Sequence, residues 1–183
     1  GGGAPPSRNY TSDTSWLVQA VLAQQNEDGS WGASADTKPV GDVDMTAMAL
    51  QALAPYHKDG GNETVNTAVE KALNWLSGKY RSGYDSSESC AQVVIALSAL
   101  NLDANTDARF TKTMEGKTLS VLGNLLQYRV VENGGFKHQF ADKAVNEMAT
   151  EQALCAMAAY ARFTEKANAL YDMTDAACAP RFC

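Results

Sequence analysis

An internal repeat constrains this chain more than any other feature. Three segments share one order of parts: an amphipathic stretch, a turn in which glycine precedes an aromatic residue, and a second stretch rich in Ala and Leu. The first runs from Trp16-Leu17-Val18-Gln19-Ala20-Val21-Leu22 through the turn Asn26-Glu27-Asp28-Gly29-Ser30-Trp31-Gly32 to Asp44-Met45-Thr46-Ala47-Met48-Ala49-Leu50. The second has Ala72-Leu73-Asn74-Trp75-Leu76, then Ser82-Gly83-Tyr84-Asp85, then Glu88-Ser89-Cys90-Ala91. The third has Leu122-Gly123-Asn124-Leu125-Leu126, then Glu132-Asn133-Gly134-Gly135-Phe136, then Ala149-Thr150-Glu151-Gln152-Ala153-Leu154. Trp31, Tyr84 and Phe136 are spaced 53 and 52 positions apart, and Thr46, Ala49, Leu50, Ala52 and Tyr56 recur as Thr150, Ala153, Leu154, Ala156 and Tyr160 at a constant offset of 104. A unit of this size cannot bury its apolar face alone and must stack on its neighbours.

The two halves of each unit differ in pattern. In residues 64–80, Val65, Ala68, Val69, Ala72, Leu73 and Leu76 fall on one helical face, with Asn66, Glu70, Lys71 and Asn74 opposite. Residues 45–53 and 91–100 are apolar nearly all round, as in helices buried on most sides. The first helix of each unit therefore belongs to an outer layer and the second to an inner layer. Turn glycines supply positive φ, and Asp44, Ser87 or Glu88, and Asn62 are expected near helix starts. Pro55 is expected to end or kink the first inner helix. Period-two alternation is absent, so no strand is expected. The predicted fold is all-α, with six main helices and a seventh near residues 166–173. Residues 1–11 read as a linker, 12–173 as one repeat domain with units at about 12–57, 63–100 and 115–163, and 174–183 as a tail.

The net charge of −6 and the lack of a Lys/Arg cluster argue against nucleic acid as a partner. No apolar run reaches the ~18–20 residues of a membrane span. Of four cysteines, Cys90 and Cys155 sit in apolar helical stretches, where cysteine commonly acts as a small buried hydrophobe. Cys178 and Cys183 flank a short tail and could close a small disulfide loop, so the pairing is left open.

The stretch Gln25-Asn26-Glu27-Asp28-Gly29-Ser30-Trp31-Gly32 resembles the QW-type repeat of squalene and terpene cyclases, and Asp42-Val43-Asp44-Met45-Thr46-Ala47-Met48-Ala49-Leu50 is similar to the inner-helix segment of the prenyltransferase and squalene-oxidase repeat superfamily. That superfamily includes the helical domain of the cobalamin carriers transcobalamin and intrinsic factor, and many bacterial surface proteins carry its repeats. The resemblance covers roughly residues 12–163. It implies an α/α toroid of concentric inner and outer helices. This chain has room for about three pairs, a half-toroid that is open or completed by a second domain or chain.

Three functions follow as expectations. The first is a noncatalytic ligand-binding or interaction domain of a secreted or cell-surface protein. In a toroid the loops before the inner helices gather at one end, which brings together Asp42, Asp44, Thr46, Glu88, Asn146, Glu147 and Glu151 near Trp31, Tyr84, Phe136 and His138. Such a set suits an unknown small molecule, glycan or peptide. Trp31, Tyr84 and Phe136 recur at equivalent positions and so also read as packing wedges. The second is an enzyme fragment related to terpene cyclases or prenyltransferases. Asp42 and Asp44 match the first two acids of the cyclase Asp-x-Asp-Asp motif, with Asp44 as general acid, but Met45 stands where the third acid belongs. The plainer reading has Asp44 capping a helix and Asp42 solvated. His57 and His138 match no Asp/Cys/His zinc set and read as exposed polar residues; neither metal nor cofactor is expected. The third is a structural repeat spacer.

Overall fold

A computed structural model of the chain describes residues 14–33, 39–57, 62–114, 116–132, 134–172 and 174–175. Six α-helices lie among them: α1 Ser15–Ala23, α2 Val43–Leu53, α3 Glu63–Ser82, α4 Ser87–Ala99, α5 Val121–Leu126 and α6 Glu147–Thr164. The protein is mostly helical. The expected linker at residues 1–11 and the cysteines Cys178 and Cys183 lie outside the described residues.

Local chemistry sets the helix ends. Asp42, Asn62, Ser86, Ser120 and Asn146 each accept a backbone amide of their helix's first turn, for α2, α3, α4, α5 and α6 in order. Asp42, which the plainer sequence reading leaves solvated, has the extended backbone of a cap and caps α2, while Asp44 is the first-turn acid, the second of the two places expected for it. The cap of α4 is likewise Ser86, one residue before the candidates. Pro55 does end α2, which tightens into a 3-10 turn over Ala54–Tyr56.

The core follows the repeat. α4 packs between α2 and α6, while α3 packs on α2 and α5 on α4. α3 buries the expected face, from Val65 and Val69 through Leu73 and Leu76 to Tyr80. α4 buries almost every side chain, including Cys90, Val93, Val94 and Leu97. Each such large apolar side chain contributes about 1.5–3 kcal/mol relative to exposure. Three amides cross this inner row: Gln51 Nε2 donates to Gln92 Oε1 at 2.9 Å, and Gln92 Nε2 donates to Gln152 Oε1 at 3.2 Å. They tie α2, α4 and α6 in sequence.

Three expectations need correction. Burial all round holds for α4 but not for α2, which leaves Met45 and Met48 exposed among the described residues. A β-hairpin, β1 Thr111–Met114 with β2 Lys117–Ser120, joins α4 to α5. Its strands are four residues long, with Thr113, Lys117 and Thr118 exposed and Ser120 buried, too short to print an alternation; Gly116 in the turn has φ +77°. The third outer helix, α5, has only six residues, and the hairpin fills the space beside it. No seventh helix forms among described residues 166–172: Lys166 turns left-handed at φ +58° and ends α6.

Candidate functional site

Each inner helix of the outer two units is bolted to its turn in the same way. The Trp31 amide donates to Thr46 Oγ1 at 2.9 Å, and that hydroxyl donates to the Asp42 carbonyl at 2.6 Å. In the third unit the Phe136 amide donates to Thr150 Oγ1 at 2.9 Å, and Thr150 donates to the Asn146 carbonyl at 2.8 Å. Trp31 is further fixed by its indole N–H on the Val21 carbonyl at 2.8 Å. Tyr84 is held differently, its hydroxyl donating to the Leu76 carbonyl at 3.0 Å. Trp31, Tyr84 and Phe136 are all buried, so each fills the wedge between helices and offers no aromatic wall to a ligand. Thr46 is wholly buried with them.

The expected polar end does exist, around α2 and α4. Ser87 donates to the Lys137 carbonyl at 2.7 Å, and its amide donates to the His138 carbonyl at 3.0 Å. This stitches the third turn onto the start of α4 and delivers His138 Nδ1 to 2.9 Å from both carboxylate oxygens of Glu88. Glu88 is buried, whereas His138 is exposed as a polar surface residue and pairs with it. Asp44 bonds Ser89 of α4, and its Oδ1 is buried with no partner among the described residues. Burial first, then the nearby Asp42 and Glu88 charges, push the Asp44 carboxyl above the ordinary aspartate range. Asp42, Asp44, Glu88 and His138 thus come together. Glu147 and Glu151 stand exposed on α6, with Glu151 reached by the Cys155 thiol at 3.5 Å.

At the other end of the inner helices lies a cleft of about 570 Å³, in the size range of small-molecule sites. Gln51, Pro55 and His57 line it from the end of α2, Ile95 and Ser98 from α4, and Phe163 and Lys166 from the end of α6. Sequence reasoning missed this cleft, because helix C-termini carry weaker composition signals than capped N-termini. The usable clue was Asn101 and Lys166, polar residues just past two inner helices, both left-handed at φ +58°. His57 is half-buried, with Nδ1 2.9 Å from Asn66 Oδ1, which orients the ring.

In comparisons with known proteins, no family model matches the chain, and no curated protein or solved structure matches it.

Proposed function

We propose that this chain is a noncatalytic ligand-binding or interaction domain of a secreted or cell-surface protein, built as a partial α/α toroid of three helix pairs. The separation of acid and cleft carries this reading. Asp44 sits in the first turn of α2, whereas the cleft begins at Gln51 and Ala54. At 1.5 Å per residue the acid stands on the order of 10–15 Å along the helix from the concave site. A general acid must lie within hydrogen-bond reach of its substrate. The cleft also mixes apolar walls (Ile95, Phe163) with a few polar groups (Gln51, His57, Ser98), the make-up of a recognition site.

One observation favours the enzyme reading. A carboxyl held above its usual range with a bare oxygen is what a proton donor needs, and Asp44 has both. A thermal-shift panel of corrinoids, polyprenyl diphosphates, oligosaccharides and divalent metals separates the two. Binding to the folded state alone at a hundredfold the Kd adds about 2.7 kcal/mol. Ala167 also lines the cleft, and a hit abolished by Ala167→Trp, which fills it, supports the binding reading. A polyprenyl diphosphate hit abolished by Asp44→Asn and untouched by Ala167→Trp overturns it.

A further inference from the structure

The last turns of all three inner helices line the cleft: Gln51 at the end of α2, Ser98 and Ala99 at the end of α4, and Phe163 at the end of α6. A helix C-terminus carries roughly half a negative charge, spread over carbonyls that no following turn satisfies. Three such ends meet here. At α4 the carbonyls of Ala99 and Leu100, both lining residues, accept no hydrogen bond among the described residues.

The side chains carry the same bias, because their donors are already spent. Both N–H groups of Gln51 go to Gln92, one to its carbonyl at 3.2 Å and one to its Oε1 at 2.9 Å. Ser98 Oγ donates to the Val94 carbonyl at 2.8 Å. His57 Nδ1 lies 2.9 Å from Asn66 Oδ1, an acceptor, so in the neutral ring Nδ1 carries the proton. Asn168 Nδ2 donates to Thr174 Oγ1 at 2.9 Å. What remains on the first three is an acceptor each: Gln51 Oε1, the Ser98 lone pairs and His57 Nε2. Ser98 is buried and Gln51 and His57 are half-buried, so they belong to the floor. Lys166 and Asp172 are exposed at the rim, and their formal charges cancel. The helix ends therefore set the sign of the floor.

We propose that the cleft takes an organic ammonium cation, a protonated amine whose N–H groups meet the floor acceptors while its carbon skeleton lies against Ile95 and Phe163. This rests on the binding reading above and adds the charge of the ligand to it. An ammonium group brings donors and no acceptor, which is what the floor lacks. A carboxylate or a diphosphate brings acceptors to acceptors, at the negative ends of three helices.

Calorimetric titration at neutral pH with phenethylamine, phenethyl alcohol and hydrocinnamate tests this, since the three share the phenylethyl group and differ in charge. Phenethylamine should bind about tenfold more tightly than hydrocinnamate, with the alcohol between them, and Ala167→Trp should abolish the binding. Lys166→Asn removes a rim cation and keeps a residue that tolerates the left-handed backbone found there. It should tighten the amine and weaken hydrocinnamate, opposite changes that a damaged cleft would not give. If the alcohol or hydrocinnamate binds as tightly as the amine and Ala167→Trp abolishes it, the ammonium proposal is overturned and the cleft stands as a binding site. Amine binding that survives Ala167→Trp lies elsewhere and overturns the proposal too. So does no binding by any of the three. In that case a hit abolished by Ala167→Trp in the wider thermal-shift panel keeps the binding reading, and silence there removes both.

Discussion

Thr46 and Thr150, 104 positions apart, hold the same bond: each hydroxyl accepts the amide of its own turn aromatic, Trp31 or Phe136, at 2.9 Å. Both hydroxyls then donate to the carbonyl of the residue that caps the inner helix. One side chain thus ties the turn, the cap and the first helical turn together.

Thr46→Val keeps the shape and strands the Trp31 amide in the core. Leaving a buried donor unmet costs about 1–3 kcal/mol. Thr150 is less buried, so water can replace its hydroxyl in part, and Thr150→Val should cost less. Urea denaturation of the two variants checks the order; equal stability to the parent would remove the bolt from the account.

Asp44→Asn should stabilise the fold at neutral pH. The folded state raises the Asp44 pKa above the ordinary value of 3.8, so it holds the proton more tightly than the unfolded chain does. That contribution is complete below the unfolded pKa and is lost as pH rises through the folded one. The variant's advantage in Tm should therefore be present at pH 7 and fade as pH falls toward about 4. An advantage independent of pH would assign the effect to something other than ionisation.

Gly29 and Gly83 both have positive φ, at +92° and +95°, yet alanine should be tolerated unequally. A Cβ on Gly29 would lie 2.7 Å from the Lys71 carbonyl, whereas on Gly83 it meets nothing closer than the end of Lys112 at 3.4 Å. Gly83→Ala carries the left-handed backbone cost alone, about 1–2 kcal/mol. Gly29→Ala adds a backbone collision and should exceed it by at least about 1 kcal/mol. Thermal melts of the pair decide.

Cys90 should resist alkylation in the native protein. Burial pushes its thiol up to about 12, and the site is closed to solvent. Cys155 is raised too, by partial burial and then by Glu151, but its side chain is reachable. Peptide mapping after iodoacetamide at pH 8 should find Cys155 labelled slowly and Cys90 only after denaturant is added. Rapid native labelling of Cys90 would contradict the packing of α4.

The repeat was legible because glycine, aromatic and threonine recur at fixed offsets that only a shared backbone path demands. The one-faced pattern of α3 likewise predicted Val65, Ala68, Val69, Ala72, Leu73 and Leu76 among its buried residues, and left out Ser77 and Tyr80. That Asp42 and not Asp44 caps α2 was not legible, since both are good first-turn residues and only the backbone angle at Asp42 decides between them. The hairpin was hidden because Thr-Lys-Thr-Met and Lys-Thr-Leu-Ser are too short to print an alternation. In the candidate site, sequence position brought Asp42, Asp44, Glu88 and His138 together correctly. The pairing of His138 with Glu88 depends on Ser87 catching a loop fifty residues away, which no local pattern records.

The row of amides from Gln51 through Gln92 to Gln152 has a consequence for alignment. α6 meets α4 through Ala149, Ala153, Ala156 and Ala159, a face so even that helices could slip along one another at little cost. A slip of one turn moves a helix about 5.4 Å, far outside hydrogen-bond range. It would leave amide groups stranded among Ala, Val and Leu. The glutamines therefore act as a vernier: the alanines let the helices come close, and the amides allow only one setting once they have.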